Sequence, residues 1–473
     1  MTTNVGLRSE RGPILLALMV ASGLIAIDAT ILATAVPTIT KELGGFESFP
    51  WLFSIYLLAQ AVSVPIYSKL SDVIGRKPII LIGIGLFLLG SILCGVAWSM
   101  PALIAFRAVQ GLGAGAVAPM SITIAGDIYT LAERAKTQGY FASVWAISSV
   151  LGPTLGGIFS ELNAWRWIFF VNIPLALLAG YLLIRDFDEK VEKRQHRVDY
   201  LGAVLLTLAL TLLILALLEG GVAWPWDSWQ SIGAFSLGGI LLVLFVLAER
   251  RAAEPILPLW VFSRRLLLTT SLISLGVGAA VTGLTSYVPT YLEGSLEISP
   301  LLAGLSLAAL TLGWPIAAGY SGRLYLRVGF KNTILIGMVF VLLGTVFIAI
   351  LALTPSVLVV AVSCFVIGIG MGLSATPSVI AAQASVPWNE RGVVTGTGQF
   401  ARSIGSAVGV AIFGAIANSI FSPAPVSVPS LVAGSGAVFF AVVVAGVVTL
   451  VAALAMPRTP VERVESHVVA GPA

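Results

Sequence analysis

The ten residues Ser68 to Lys77, SKLSDVIGRK, lie between two long apolar runs and are too few to form a domain. Asp72 closes the first run, Gly75 supplies the tight reversal, and Arg76 and Lys77 open the next. A polar hairpin of this length between apolar stretches joins two antiparallel helices. The flanking residues then have to be explained as membrane-spanning segments.

Composition agrees with that reading. The chain is 58% hydrophobic and 10% charged, whereas soluble domains carry about 25% charged residues. Mean hydropathy is +1.01. A net charge of +4 would suit a nucleic-acid partner, but the basic residues sit in short connections between apolar runs, so none is expected. Two cysteines inside apolar runs exclude a disulfide framework, and with two scattered histidines they offer no metal-ligand cluster. No nucleophile–base constellation is visible, so catalysis is not expected. The first apolar run reads as a spanning helix rather than a cleaved leader.

A helix needs about 20 apolar residues to cross about 30 Å of hydrocarbon. Fourteen runs meet this length, near 13–36, 50–70, 79–98, 102–126, 138–160, 166–184, 200–219, 232–249, 266–291, 300–320, 332–353, 356–383, 394–418 and 433–456. The expected fold is all-α and polytopic, since lipid cannot satisfy unpaired backbone groups. With both termini inside, the inner loops hold 22 of the 26 Lys and Arg; Lys41 and Arg166 lie outside, and Arg107 and Arg402 within spans. That bias predicts an N-in, C-in topology.

The chain repeats itself. Glu133-Arg134 recurs as Glu390-Arg391, and Gly111, Gly113, Gly115, Gly139 and Gly152 recur at the same offset as Gly368, Gly370, Gly372, Gly396 and Gly409. Leu70, Gly75 and Lys77 recur as Leu324, Gly329 and Lys331. Two six-helix halves follow, with a pair of helices inserted between them. The expected units are residues 1–185, an N-terminal bundle; 186–264, a linker and the inserted pair; 265–456, a C-terminal bundle; and 457–473, a tail.

Charges inside spans are costly and point to function. Asp28 lies about 12 Å from the outer end of the first helix and Arg107 about 8 Å from that of the fourth. Their depths match, so the two can meet if their helices are neighbours. A carboxylate that alternates between desolvation and a cationic partner can couple to protons; a static ion pair is the plainer alternative. Gln110 shares a helix face with Arg107. Arg402 is the other cation within a span, and Gln399 and Trp145 are further polar or aromatic candidates for a central cavity. In the fifth helix Ser148, Gly152, Gly156 and Ser160 form a ridge of small residues beside Pro153 and Gly157, suited to close packing or to bending.

Four stretches carry a family likeness. IDATILATAVPTI (Ile27 to Ile39), FRAVQGLGAG (Phe106 to Gly115), SSVLGPTLGGIF (Ser148 to Phe159) and the SKLSDVIGRK hairpin resemble motifs of the fourteen-helix drug:proton antiporters of the major facilitator superfamily. WRWIFFVNIP (Trp165 to Pro174) and the tryptophans at 224, 226 and 229 also resemble that group. The resemblance implies proton coupling at Asp28 and Arg107, and a gate latch at Asp72, Gly75, Arg76 and Lys77. It further implies a helix-5 hinge at Gly152, Pro153, Gly156 and Gly157, and a substrate cavity with Gln110, Trp145, Gln399 and Arg402. In the hairpin, Arg76 and Lys77 are expected to face cytoplasm and lipid phosphate.

The expected activity is export of small lipophilic or cationic compounds in exchange for protons. The runner-up is export of an envelope lipid or a hydrophobic endogenous metabolite. No cofactor beyond a proton gradient is expected, and the chain should act as a monomer among membrane lipids, in a plasma membrane such as the bacterial inner membrane. The mixed-charge segment 185–199 reads as a solvated linker, and 249–265 as an amphipathic stretch along the inner surface.

Overall fold

The computed structural model describes residues 6–44, 51–189, 199–221, 223–252, 255, 257–298, 300–421 and 428–458. Most of the 185–199 linker and of the tail, and the side chain of Pro153, lie outside them. The helices are α1 (Gly12–Leu43), α2 (Trp51–Ile74), α3 (Arg76–Gly95), α4 (Met100–Ile128), α5 (Leu131–Glu161), α6 (Trp167–Phe170), α7 (Asn172–Asp186), α8 (Tyr200–Glu219), α9 (Trp229–Glu249), α10 (Trp260–Ser263), α11 (Arg265–Leu296), α12 (Pro300–Val328), α13 (Phe330–Ile350), α14 (Val357–Ala384), α15 (Arg391–Phe421) and α16 (Val428–Ala455).

Every run expected to span falls on a helix, with α6 and α7 together forming the sixth. Among the described residues twelve are long and apolar enough to cross a membrane. Helices α8 (20 residues) and α15 (31 residues) are not among those twelve.

Starts and stops follow from local chemistry. Ser99, Asp199, Ser228 and Ser356 each accept a backbone N–H in the first turn of α4, α8, α9 and α14, satisfying donors that a helix start leaves unpaired. At the hairpin Gly75 has φ 102°, a backbone that L side chains rarely adopt.

Helices α1–α7 and α11–α16 share one neighbour pattern. α1 packs on α5 and α7 as α11 does on α15 and α16; α4 packs between α2 and α3 as α14 does between α12 and α13. The two sets meet along α2 with α15 and along α5 with α12, and α8 lies against the α2–α15 seam with α9 behind it. Apolar residues that would be hidden in a soluble protein stand on the outside. Leu177, Tyr181 and Ile184 of α7, Ile240, Val243 and Leu247 of α9, and Val444, Val448 and Val451 of α16 are examples. Such continuous apolar faces need lipid rather than water against them.

In the stretch 249–265, Leu257 and Val261 are buried, the Leu257 N–H donates to buried Glu249, and Phe262 to Arg265 are exposed. Between α9 and α11 the described residues form one short helix, α10, and Val261 joins Val386 and Val393 in one cluster.

Candidate functional site

Helices α1, α2, α3, α4 and α7 converge on one buried polar cluster. Asp28, from α1, is 1% exposed. Its Oδ2 accepts from Arg107 Nη1 at 2.6 Å; its Oδ1 accepts from Gln110 Nε2 at 2.7 Å and Asn172 Nδ2 at 3.2 Å. Arg107 also donates to Gln110 Oε1 at 2.6 Å and to the Leu52 carbonyl at 3.1 Å, and its guanidinium lies 4.1 Å over the Tyr56 ring. Ser91 accepts from Gln110 and Asn172. In all three of its bonds, to Arg107, Gln110 and Asn172, Asp28 accepts from an N–H, which is the arrangement for an ionised carboxylate. Within this low-dielectric pocket, removing one partner of such a pair costs about 3–5 kcal/mol.

Close backbone approach builds this cluster. A Cβ on Gly90 would stand 2.5 Å from the Gln110 backbone nitrogen, so only glycine lets α3 bring Ser91 against Gln110. The structure thus joins Asp28 and Arg107, as their equal depth suggested. It moves Gln110 out of the expected substrate cavity: the residue is fully buried and wholly engaged with Asp28, Arg107 and Ser91. Asn172 and Ser91 were not singled out in the sequence, because amides and hydroxyls in helices are common and only packing distinguishes these two.

The second site is at the hairpin end. Asp72 accepts from the backbone N–H groups of Gly392 (3.1 Å) and Val393 (2.8 Å), at the N-terminus of α15, and from Arg76 Nη2 (2.8 Å). A carboxylate there complements the exposed amides and the dipole of the helix. Arg76 also donates to Asp127 Oδ2 at 3.1 Å and to the Trp388 carbonyl at 2.8 Å, and stacks 3.8 Å over the Trp388 ring. Asp127 in turn accepts from Arg391 at 3.1 Å. Arg134 donates to the carbonyls of Tyr129 and Gly126. The residues from α2, α3 and α4 are thereby clasped to those from 388–393.

Arg76 does not face cytoplasm or lipid phosphate: it is 1% exposed, because two carboxylates, the carbonyls of Ser71 and Trp388 and an indole enclose it. Lys77 stays nearer the surface, donating to the Ile184 carbonyl and lying 3.6 Å from Asp188. Glu189 accepts the backbone N–H groups of both Arg76 and Lys77. Asp127, Trp388 and Arg391 were missed as site residues. Arg391 stood out only as half of the repeated Glu-Arg pair, and Asp127 falls one residue beyond the expected end of the fourth span.

Along α5, Gly152 faces α1. A Cβ there would come 2.0 Å from Thr30 Oγ1, which itself donates to the Ser148 carbonyl at 3.0 Å. Gly156 is buried too, while Gly157 points into open space. The helix runs unbroken from Leu131 to Glu161, and in the described conformation Gly152 forms a close contact with α1.

A small cavity of about 30 Å³ lies between the two helix sets. It is lined by Ile122 of α4, by Ser274, Val277, Ala375 and Val379 of α11 and α14, and by Thr395, Gly398, Gln399 and Arg402 of α15. Arg402 and Gln399 both line it. Trp145 is half exposed on α5, not on this lining.

A helical bundle of two like halves, with buried charges at their core and a polar clasp across one end, defines a membrane transporter rather than an enzyme. Residues 18–410 match the Major Facilitator Superfamily profile. The chain belongs to the major facilitator superfamily. It is 33% identical to Multidrug resistance protein 3 of Bacillus subtilis, over 89% of this chain and 82% of that one. It is 34% identical to the multidrug transporter protein MdtP of the same organism, over 88% and 76%. It is also 31% identical to the efflux pump FUS6 of Gibberella moniliformis, over 86% and 74%. Among solved structures, the proton:xylose symporter XylE superposes with TM-score 0.68 at 15% identity, covering 96% of this chain and 98% of that one. The human organic anion transporter MFSD10 superposes with TM-score 0.67 at 17% identity, covering 94% and 99%. These last two likenesses concern the fold.

Proposed function

We propose that this chain is a proton-coupled exporter that moves lipophilic compounds outward by alternating access, with Asp28 taking up and releasing the proton. The observation that carries this reading is the Asp28 cluster: one carboxylate, closed off from water, held as an anion by Arg107, Gln110 and Asn172. Protonation would cancel its attraction to Arg107 and turn an acceptor into a donor facing donors, which destabilises the closed cluster. Opening it to one side and then the other gives a proton a path and a conformational consequence. Export, rather than uptake, is supported by relatives named for multidrug resistance and efflux.

In this scheme both termini face the cytoplasm, fourteen helices span the membrane, and α8 and α9 are the pair inserted between the bundles 1–185 and 265–456. The clasp built from Asp72, Arg76, Asp127 and Arg391 is the inner gate latch, closed in the described conformation. Gly152 and its neighbours supply the α1–α5 surface that shifts during exchange. The protein acts as a monomer in a bacterial inner membrane. Among the described residues a cation and no acid line the central cavity, which favours lipophilic over cationic character as the common feature of its substrates.

The test is efflux from proteoliposomes under an imposed pH gradient, using lipophilic dyes of positive, zero and negative charge. The intact chain is expected to export at least one of them against its gradient. Asp28→Asn is expected to lose gradient-driven export while still binding dye. Full gradient-driven export by that variant would remove Asp28 from the mechanism.

A further inference from the structure

Arg402 is left over once the two polar centres are accounted for. It stands 11 residues into α15, about 16 Å from the hairpin end, and so near the middle of a bilayer about 30 Å thick. A cation at that depth is costly unless something balances it. Arg107, Arg76 and Arg391 each have a buried carboxylate within 3.1 Å. Arg402 has none among the described residues: it lies against the face of Trp314, with the guanidinium carbon 5.2 Å from the ring centre. Asp28 cannot serve, because both its oxygens are already engaged.

The surroundings of Arg402 suit a small anion. It is partly exposed and lines a cavity together with Gln399 and Ser274. Among the described residues no acid lines that cavity. At about 30 Å³ it has room for roughly two waters, the size of a carboxylate or sulfonate group rather than of a whole drug. Its floor is Ile122 and Thr395, the latter bonded to Gln383, which in turn reaches the Ile122 carbonyl just above the clasp.

An apolar surface is available nearby. The offset of 257 that relates Gly139 to Gly396 and Gly152 to Gly409 relates Trp145 to Arg402. The face of α5 that touches α1 carries Val144 and Gly152, and the face that touches α12 carries Gly139 and Ser149. At about 100° per residue Trp145 falls between these faces. The lipid-facing Ile147, Val150, Leu151 and Ile158 are on the opposite side. Its 45% exposure is therefore toward the space between the halves. Corresponding positions of the two halves thus present a flat aromatic surface and a cation to one central path.

We propose that Arg402, with Gln399 and Ser274, is the headgroup site for an amphipathic anion whose apolar body rests on Trp145. This rests on the export reading above and gives its substrate class a sign of charge. An unbalanced cation in a cavity lined by no described acid repels lipophilic cations and attracts an anion more strongly than a neutral compound. An anion there would balance the guanidinium through charge-assisted hydrogen bonds in a low-dielectric space.

The experiment is equilibrium binding to the full-length chain in phosphatidylcholine nanodiscs, with binding to empty discs subtracted and no pH gradient. The probes are 1-pyrenebutyrate, 1-pyrenebutanol and 1-pyrenebutylamine, which share a body and differ in charge. The intact protein is expected to bind the butyrate at least tenfold tighter than the alcohol or the amine. Arg402→Gln should bring butyrate within threefold of the alcohol, Arg402→Lys should keep most of the preference, and Trp145→Ala should weaken butyrate and alcohol alike by about tenfold. Repeating the measurement in phosphatidylglycerol discs separates two sources of anion: loss of butyrate binding assigns the site to a lipid headgroup, and persistence assigns it to a free amphiphile. Equal binding of the three probes by the intact chain, a preference for the amine, no butyrate binding, or a butyrate preference that survives Arg402→Gln would each overturn the proposal. Because the assay uses no gradient, a loss of proton-driven export with charge-selective binding retained would count against the coupling reading alone.

Discussion

Asp72→Asn is the substitution whose effect can be worked out most fully. The side chain keeps its shape and one acceptor oxygen but loses its charge. Asp72 is buried, and its three donors are Arg76 at 2.8 Å and the amides of Gly392 and Val393 at the start of α15. Breaking a buried ion pair from one side costs about 3–5 kcal/mol. Here Arg76 retains Asp127 at 3.1 Å, the Trp388 carbonyl and the Trp388 ring, so the lower part of that range or below applies. Weakened attraction to the α15 N-terminus is already within it, at about 0.3–1 kcal/mol. The net effect should be about 2–3 kcal/mol against the clasped state, or roughly 30- to 140-fold in its equilibrium with an open one. The reporter is amide hydrogen exchange in the peptide containing Gly392 and Val393, whose N–H groups are those that Asp72 accepts. Under conditions where exchange follows the opening equilibrium, their exchange should accelerate by that factor, while peptides around Asp28 change far less. Exchange at 392–393 within threefold of the intact chain would refute the assignment of Asp72 as the holder of the clasp.

Two further outcomes follow from packing and charge. Gly152→Ala should lower the thermal midpoint in detergent by an amount corresponding to about 1–3 kcal/mol of overpacking, since its Cβ would overlap Thr30; adding Thr30→Ala should recover part of the loss. At the opposite end from the clasp, Glu42 accepts from Arg166 and Trp165 and is held below its ordinary pKa of 4.5, chiefly by the Arg166 hydrogen bond. A carboxylate lowered on folding stabilises the fold above its ordinary value and loses that contribution as pH falls through the lowered one, so Glu42→Gln should lower stability at neutral pH, leave it nearly unchanged well below the lowered value, and thereby flatten the profile's acid limb below about pH 4.5.

The helices and their repeat were legible because lipid imposes length and apolarity on each span independently of its neighbours. The Asp28–Arg107 pair was legible for a related reason: two charges at equal depth in apolar helices have few other partners. Charges near helix ends were harder. Arg76 looks like any inner-loop arginine, and nothing local distinguishes one that faces water from one that faces Trp388 and Asp127 across the seam between halves. Gln110 was placed correctly on the face of Arg107, but the sequence could not say that α3 closes over that face, because the approach depends on Gly90 meeting the backbone of the next helix. Asn172 lies beyond the reach of any single-helix pattern, since its role exists only where α7 passes α1 and α3.

The two polar centres are not independent, and the reason is architectural. Helix α2 contributes the Leu52 carbonyl and the Tyr56 ring to the Asp28 cluster at one end and Asp72 to the clasp at the other. Helix α4 does the same with Arg107 and Gln110 at one end and Asp127 at the other. From Tyr56 to Asp72 along α2, and from Arg107 to Asp127 along α4, the helices run about 24 and 30 Å. Rods of that length packed on one another transmit a tilt rather than absorbing it. In the proposed exchange, protonating Asp28 frees Arg107 from its strongest partner and lets the outer ends of α2 and α4 move relative to α1. A rotation of a few degrees at one end displaces the other by an ångström or more. That is enough to stretch the 2.8 Å bonds from Val393 and Arg76 to Asp72 beyond useful geometry. The clasp therefore need not sense the proton itself; it is opened by helices whose far ends do.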